Sequence, residues 1–183
     1  DLLSKMLDFP VYSDYTKIQN LKFDLIILFN SLEHLIGLEQ HLAQIHNCLK
    51  NTGYTIVTVP RINSNQAKYF KENWTHLDVP RHLTHFSLET LIKLMKLHNF
   101  EIVSHKKGSF IYDLLGWVDG LFLKLRGKRL ISANSSKEQR IFKSLFSLSI
   151  VFPLGLFIAF FLRLFGDSAL IEVTFRRCND ELS

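Results

Sequence analysis

The chain has 183 residues, of which 47% are hydrophobic, with sixteen phenylalanines and a formal net charge of +5. That length holds one domain with a proper core and excludes two of full size, and the composition excludes a disordered chain. The basic residues gather at Lys106-Lys107, in the stretch 124–129 and at Arg176-Arg177, not in a dense stripe interleaved with aromatics, so no nucleic-acid partner is expected. In chain order, residues 1–8 read as one or two helical turns that open without Met, as a fragment or processed product would, and no signal peptide is visible. Residues 9–14 read as a short strand ending in Asp14. Residues 23–29 form an unbroken apolar run, too short for an independent helix, and are expected as a strand buried on both faces, as in parallel sheets. Asn30, Ser31, Glu33 and His34 follow at its carboxyl end, where open α/β sheets bind ligands.

From Gly37, Leu38, Leu42, Ile45 and Leu49 recur at helical spacing, and Asn51-Thr52-Gly53 reads as the helix stop. Residues 54–59 are a second buried strand closed by Pro60. Strand, helix, strand is a βαβ unit with a right-handed crossover. It sets residues 30–34 and 60–63 on the same rim of the sheet. A polar helix is expected over 64–72 and an irregular segment over 74–86. Ser87 is an N-cap whose capping box Thr90 is not expected to complete. A helix through Leu88, Leu91, Ile92, Met95 and Leu97 leads to a third strand at 100–105. Beyond Gly108 lie an apolar helical stretch at 110–125, a basic link at 126–140, and a run at 145–162 with no charged residue, bracketed by Lys143 and Arg163. A turn at Gly166 leads to a last strand at 169–177. Cys48 and Cys178 have no metal-ligand spacing and suggest reduced thiols in a cytoplasmic setting.

Two motifs carry a resemblance: Phe23-Asp24-Leu25-Ile26 running on to Leu32-Glu33-His34, and Leu77-Asp78-Val79-Pro80-Arg81-His82-Leu83-Thr84-His85-Phe86-Ser87. With both, the chain resembles class I S-adenosylmethionine-dependent methyltransferases over about residues 9–105, and loosely over the closing strand. The resemblance implies an α/β fold: a partial Rossmann-like sheet with its first strands missing and an apolar helical insertion before the last strand. Residues 1–109 would be the C-terminal part of the core, 110–165 the insertion, and 166–183 the closing strand and tail. The family's glycine-rich loop is not matched, since no Gly-x-Gly occurs in the chain. The implied cofactor is S-adenosyl-L-methionine, which this piece alone is expected to bind poorly.

Residue by residue, Asp14 matches an acid near the adenine amino group, the alternative being a turn-forming Asp. Phe29, Asn30, Ser31 and Leu32 match the wall beside the methionine part of the cofactor. Ubiquinone-biosynthesis O-methyltransferases, distant relatives, carry a Glu three residues before the Glu-His pair, and together these resemble a divalent-metal site. Here that position is Asn30, and no metal is assigned. His34 suits a general base for a hydroxyl acceptor, or else packs the following helix. Asp78, Arg81, His82 and His85 read as a lid over the cofactor mouth, with catalytic roles for Arg81 and His82 and structural ones for Asp78 and His85. Arg61 stands where the subgroup usually has Asn.

The resemblance implies methyl transfer to a hydroxyl of a small or lipid-linked acceptor. The alternative is a non-catalytic membrane-interaction module built on the truncated sheet. Residues 145–162 are long enough to span a bilayer, but the strands on either side of the insertion share one sheet, which excludes a single crossing. Asp113 and Asp119 would be costly in a second crossing arm. An insertion lying in the interface, with Lys124 and its basic neighbours at the headgroups, remains, as does a buried or dimerising helix.

Overall fold

The computed structural model describes residues 10–12, 17–126 and 147–178. The expected helical turns at 1–8, Asp14 and nearly all of the basic link lie outside these residues. Pro10, Val11 and Tyr12, inside the expected first strand, carry no regular structure. Four strands form one sheet: β1 (Phe23–Phe29), β2 (Leu49–Pro60), β3 (Phe100–Lys107) and β4 (Leu170–Arg177). The order is β1-β2-β4-β3, with β1 parallel to β2 and β4 antiparallel to both its neighbours. The last strand therefore inserts between the second and third, pairing Val57 with Val173 and Ile102 with Phe175.

Helix α1 (Leu38–Cys48) crosses between β1 and β2. It buries Leu42 and Ile45, and with α3 (Leu88–Leu97) encloses a core of Leu28, Leu32, Val57, Val59, Leu91, Met95, Phe100 and Val173. Burying such side chains is worth roughly 1.5–3 kcal/mol each and is the main force holding the sheet together. Its parallel neighbour and the antiparallel β4 make β2 central, and four of its last five residues are buried while Ile56 is partly so. β1 departs from the expectation of burial on both faces. It is one of the two edge strands among the described residues, and Leu25, Ile27 and Phe29, which share one face by the period of two, stay about half exposed.

Two local readings are corrected. The helix stops at Cys48 rather than at Asn51, because Leu49 already pairs with Phe23 as the first residue of β2. Gly53 sits inside that strand, where a Cβ would come within 2.9 Å of the Lys50 carbonyl and 3.1 Å of the Phe23 carbonyl. The glycine thus serves close strand approach rather than a helix stop. Thr90 does complete the capping box on α3: the Ser87 N–H donates to Thr90 Oγ1 at 2.8 Å and the Thr90 N–H to Ser87 Oγ at 3.2 Å. A threonine hydroxyl at the third position reaches where a longer Glu or Gln is usual.

A second core lies beside the sheet. The helix α4 (Phe110–Arg126) and the helix α5 (Phe152–Leu164) pack together with the short helix α2 (Asn65–Phe70) around Phe70, Trp74, Trp117, Phe122, Val151 and Ala159. Gly155 permits the contact, since a Cβ there would meet Val118 Cγ2 at 2.7 Å. No described helix is long and apolar enough to cross a membrane. Asp113 and Asp119, expected to be costly in lipid, are buried in protein.

Candidate active site

The chain leaves β1 through Asn30, whose φ of 45° lies in the left-handed region that Asn tolerates better than most residues. Its N–H still donates to the Thr58 carbonyl at 2.9 Å, which ties the turn to the end of β2. The next turn, Leu32–His34, drops Leu32 fully into the core and brings Glu33 and His34 to a cavity of about 690 Å³ at the carboxyl ends of the strands. Asn30, Glu33, His34 and Pro60 line one side. Of the two expected rim segments, 30–34 contributes Asn30, Glu33 and His34 to the cavity, and 60–63 contributes Pro60.

The segment after α2 closes the opposite side. A tight turn at Thr75–Leu77 is followed by Asp78 at φ 38° and a cis Val79–Pro80 bond. The Arg81 and His82 N–H groups both donate to the Asp78 carbonyl, at 2.9 and 3.0 Å. The Leu83 and Thr84 N–H groups then donate to the Glu33 carbonyl at 2.8 and 3.3 Å, and Phe86 bridges to Arg61. These bonds fasten the segment across the ends of β1 and β2.

Within the cavity, two imidazoles are held alike. His34 Nδ1–H donates to the Arg81 carbonyl at 2.9 Å, and His82 Nδ1–H to the His76 carbonyl at 2.7 Å. A carbonyl only accepts, so in the neutral rings Nε2 carries the free lone pair. The rings stand edge to face with centroids 4.7 Å apart. Glu33 lies beneath them, 1% exposed, with His82 Nε2 at 4.0 Å from Oε1. Neither carboxylate oxygen of Glu33 has a hydrogen-bond partner. Burial pushes the Glu33 carboxyl above its usual range, against the pull of its own backbone N–H dipole and of His82 and His34.

The other expected residues divide. Arg81 lines the cavity, but its side chain is 75% exposed and pairs with Asp78. Burial alone would raise the Asp78 carboxyl; the Arg81 hydrogen bond and charge outweigh it and hold it below the usual range. His85 Nε2–H donates to the Leu77 carbonyl at 2.9 Å, a contact that holds the loop. Of the cofactor wall, Asn30 lines the cavity, Phe29 stacks edgewise on Tyr112 at 6.2 Å, and Leu32 is a core residue. Ser31 does not line the cavity; its carbonyl accepts from the His34 N–H at 3.1 Å. Asp14 lies outside the described residues. Arg61 pairs with Asp167, whose carboxylate also accepts from the Asn65 N–H at 3.2 Å, and so braces α2 against the start of β4.

The sequence reading passed over Trp74, His76, Tyr112 and Asp119, all of which line the cavity. Tyr112 and Asp119 sit seven residues apart on α4, two turns on one face, so their pairing was available from spacing. Asp119 accepts from Thr75 Oγ1 at 2.9 Å, which fixes the lid to that helix.

A parallel pair continued by a reversed strand inserted before β3, with a cavity at the strand ends, defines an α/β protein of the class I methyltransferase type. A model of the methyltransferase domain family matches residues 5–105, more than half of the chain, and the chain belongs to that family. No match is found among curated proteins. Among solved structures, the chain is similar to a candidate sarcosine dimethylglycine methyltransferase from Galdieria sulphuraria, at 16% identity and TM-score 0.50, covering 92% of this chain and 58% of that one. It is also similar to a SAM dependent methyltransferase from Archaeoglobus fulgidus, at 17% identity and TM-score 0.48, covering 91% and 66%. The chain thus spans about 58 to 66% of the length of these structures.

Proposed function

We propose that the chain is the acceptor-binding part of an S-adenosyl-L-methionine-dependent methyltransferase, and that it transfers the methyl group to a hydroxyl. The observation that carries this is the pair of imidazoles, His34 and His82, lining one cavity at the carboxyl ends of β1 and β2, each with its Nδ1–H held by a backbone carbonyl. Methyl transfer by in-line displacement needs the acceptor oxygen placed against the methyl carbon and a base for its proton. When bound, S-adenosyl-L-methionine would supply the methyl group and depart as S-adenosylhomocysteine, and His34 or His82 would take the acceptor proton. His82 is the better placed, because the buried Glu33 beside it stabilises the imidazolium. Asn30, at the cavity wall, would take the methionine part of the cofactor, with Phe29, Ser31 and Leu32 shaping the turn that presents it. Arg81 contributes by its pairing with Asp78, which shapes the lid.

The test is chemical-shift mapping with S-adenosylhomocysteine. With no Gly-x-Gly in the chain, binding should be weak, in about the millimolar range. The amides of residues 30–32 and 61–63 should nevertheless move first. Shifts confined to other regions, or none at saturating ligand, would sink the reading.

One observation favours membrane contact as part of this function. Phe157, Phe160, Phe161, Leu164 and Phe165 fall at helical spacing on the outer side of α5 and at its end, and all are exposed. That stripe suits a lipid interface, and an acceptor with a lipid tail would be presented there.

A further inference from the structure

We propose that Glu33, His34 and His82 form a binding site for a first-row divalent cation, held between the turn after β1 and the lid segment. One ligand atom from each lies within 4.8 Å of the other two, and among the described residues no other such group of three occurs. Two features distinguish this cluster from an ordinary polar pocket. Glu33 is 1% exposed and its two oxygens have no hydrogen-bond partner, which is costly for a buried carboxylate unless a cation satisfies it. Both imidazoles donate Nδ1–H to a backbone carbonyl, the arrangement that fixes the tautomer and leaves Nε2 as the nitrogen free to ligate a metal.

The ligand set differs from the one the resemblance suggests. There, a carboxylate three residues before the Glu-His pair completes the site; here that residue is Asn30, and the third ligand, His82, comes from the lid. Two imidazoles and a carboxylate suit zinc, manganese or iron(II) better than calcium or magnesium. Ligand bonds of about 2.1 Å place such donors some 3–4 Å apart. The present spread, up to 4.8 Å, is wider by about 1–2 Å, within reach of side-chain rotation on the exposed His34. When bound, the cation would take the Nε2 lone pairs of His34 and His82, and would act on the acceptor hydroxyl as a Lewis acid in place of an imidazole base. It also joins the lid to the sheet, so loading would order residues 76–82.

This deepens the functional reading but is measured apart from it. The chain, freed of metal by chelation, is titrated with zinc by calorimetry and with cobalt(II) by its visible absorption bands. Saturable one-to-one binding is expected, weakened at least tenfold in Glu33→Gln, His34→Gln and His82→Asn alike. His105→Gln, an exposed histidine on β3, should bind as the parent does. Absence of saturable binding at millimolar cation, or equal affinity in His82→Asn, overturns the proposal. Glu33→Gln keeps side-chain volume, and His34 is exposed, so loss in these two is not explained by failure to fold. The shift mapping with S-adenosylhomocysteine at residues 30–32 does not require the cation, and its outcome is independent.

Discussion

His76 shows how much a single buried group contributes on the lid. Its Nε2 is buried without a hydrogen-bond partner, its backbone carbonyl holds His82, and burial pushes its imidazole from the ordinary 6.5 down to about 4, only partly opposed by the Tyr112 backbone. The unfolded chain therefore binds a proton at this residue at a higher pH than the folded chain does. Stability from this group is fully present above pH 6.5 and is lost as pH falls towards 4, by about 3 kcal/mol across that window. Urea unfolding at pH 7 and pH 4.5 should show the loss, and His76→Gln should flatten most of it. An unchanged slope in the variant would place the pH sensitivity elsewhere. Glu33 illustrates what residue-level reading missed. A Glu in a strand-to-helix loop reads as solvated, and its burial is decided by Leu83 and Thr84, fifty residues on, capping its carbonyl. His34 and His82 were legible as candidates from their motifs; the Nδ1 bonds that orient both were not.

At the scale of elements, the periodic segments were legible and their junctions were not. The strands at Phe23–Phe29 and Phe100–Lys107 and the helices at Leu38–Cys48 and Leu88–Leu97 follow from apolar period alone. The boundary at Leu49 and the excursion through Gly53 depend on pairing with Phe23, which no local signal encodes. The helical insertion gives the sharper case. Asp113 on α4 accepts from the Ala169 N–H at 2.6 Å, from Ser168 Oγ at 3.0 Å and from Arg163 of α5 at 2.6 Å. Arg163 reaches on to the Gly108 carbonyl at 2.7 Å. One carboxylate thus joins both helices to the start of β4, which is why an acid survives in an apolar stretch. Asp113→Ala strands a partly buried guanidinium and a buried N–H, and should cost about 3–5 kcal/mol. Chemical denaturation measures it; a loss under 1 kcal/mol would show that the helices are held by their apolar contact instead.

Taken whole, the molecule puts its chemistry on one rim and its exposed grease on another helix, and the two meet through α4, which lends Tyr112 and Asp119 to the cavity and its other side to α5. The inner side of α5 is spent on Gly155 and Ala159 against that helix. Its outer side leaves Phe157 at 66% and Phe165 at 74% exposure, with Phe161 between them at 4.9 Å from the Phe165 ring. Moving side chains so exposed into lipid should yield about 1 kcal/mol each, so three of them account for roughly 3 kcal/mol, or about a hundredfold in partitioning. The basic residues Lys124 and Arg126, in the last turn of α4, and Lys128 and Arg129, next in sequence, add attraction to anionic headgroups. Co-sedimentation with vesicles containing phosphatidylserine should therefore detect the chain at low salt and weaken as salt rises. Phe157→Ser, Phe161→Ser and Phe165→Ser together should lower the bound fraction by about two orders of magnitude. These side chains contribute little to the core, so unfolding by urea should change little. If the triple variant binds vesicles as the parent does, or if the parent ignores them at low salt, the stripe serves protein contact and the acceptor need carry no lipid tail.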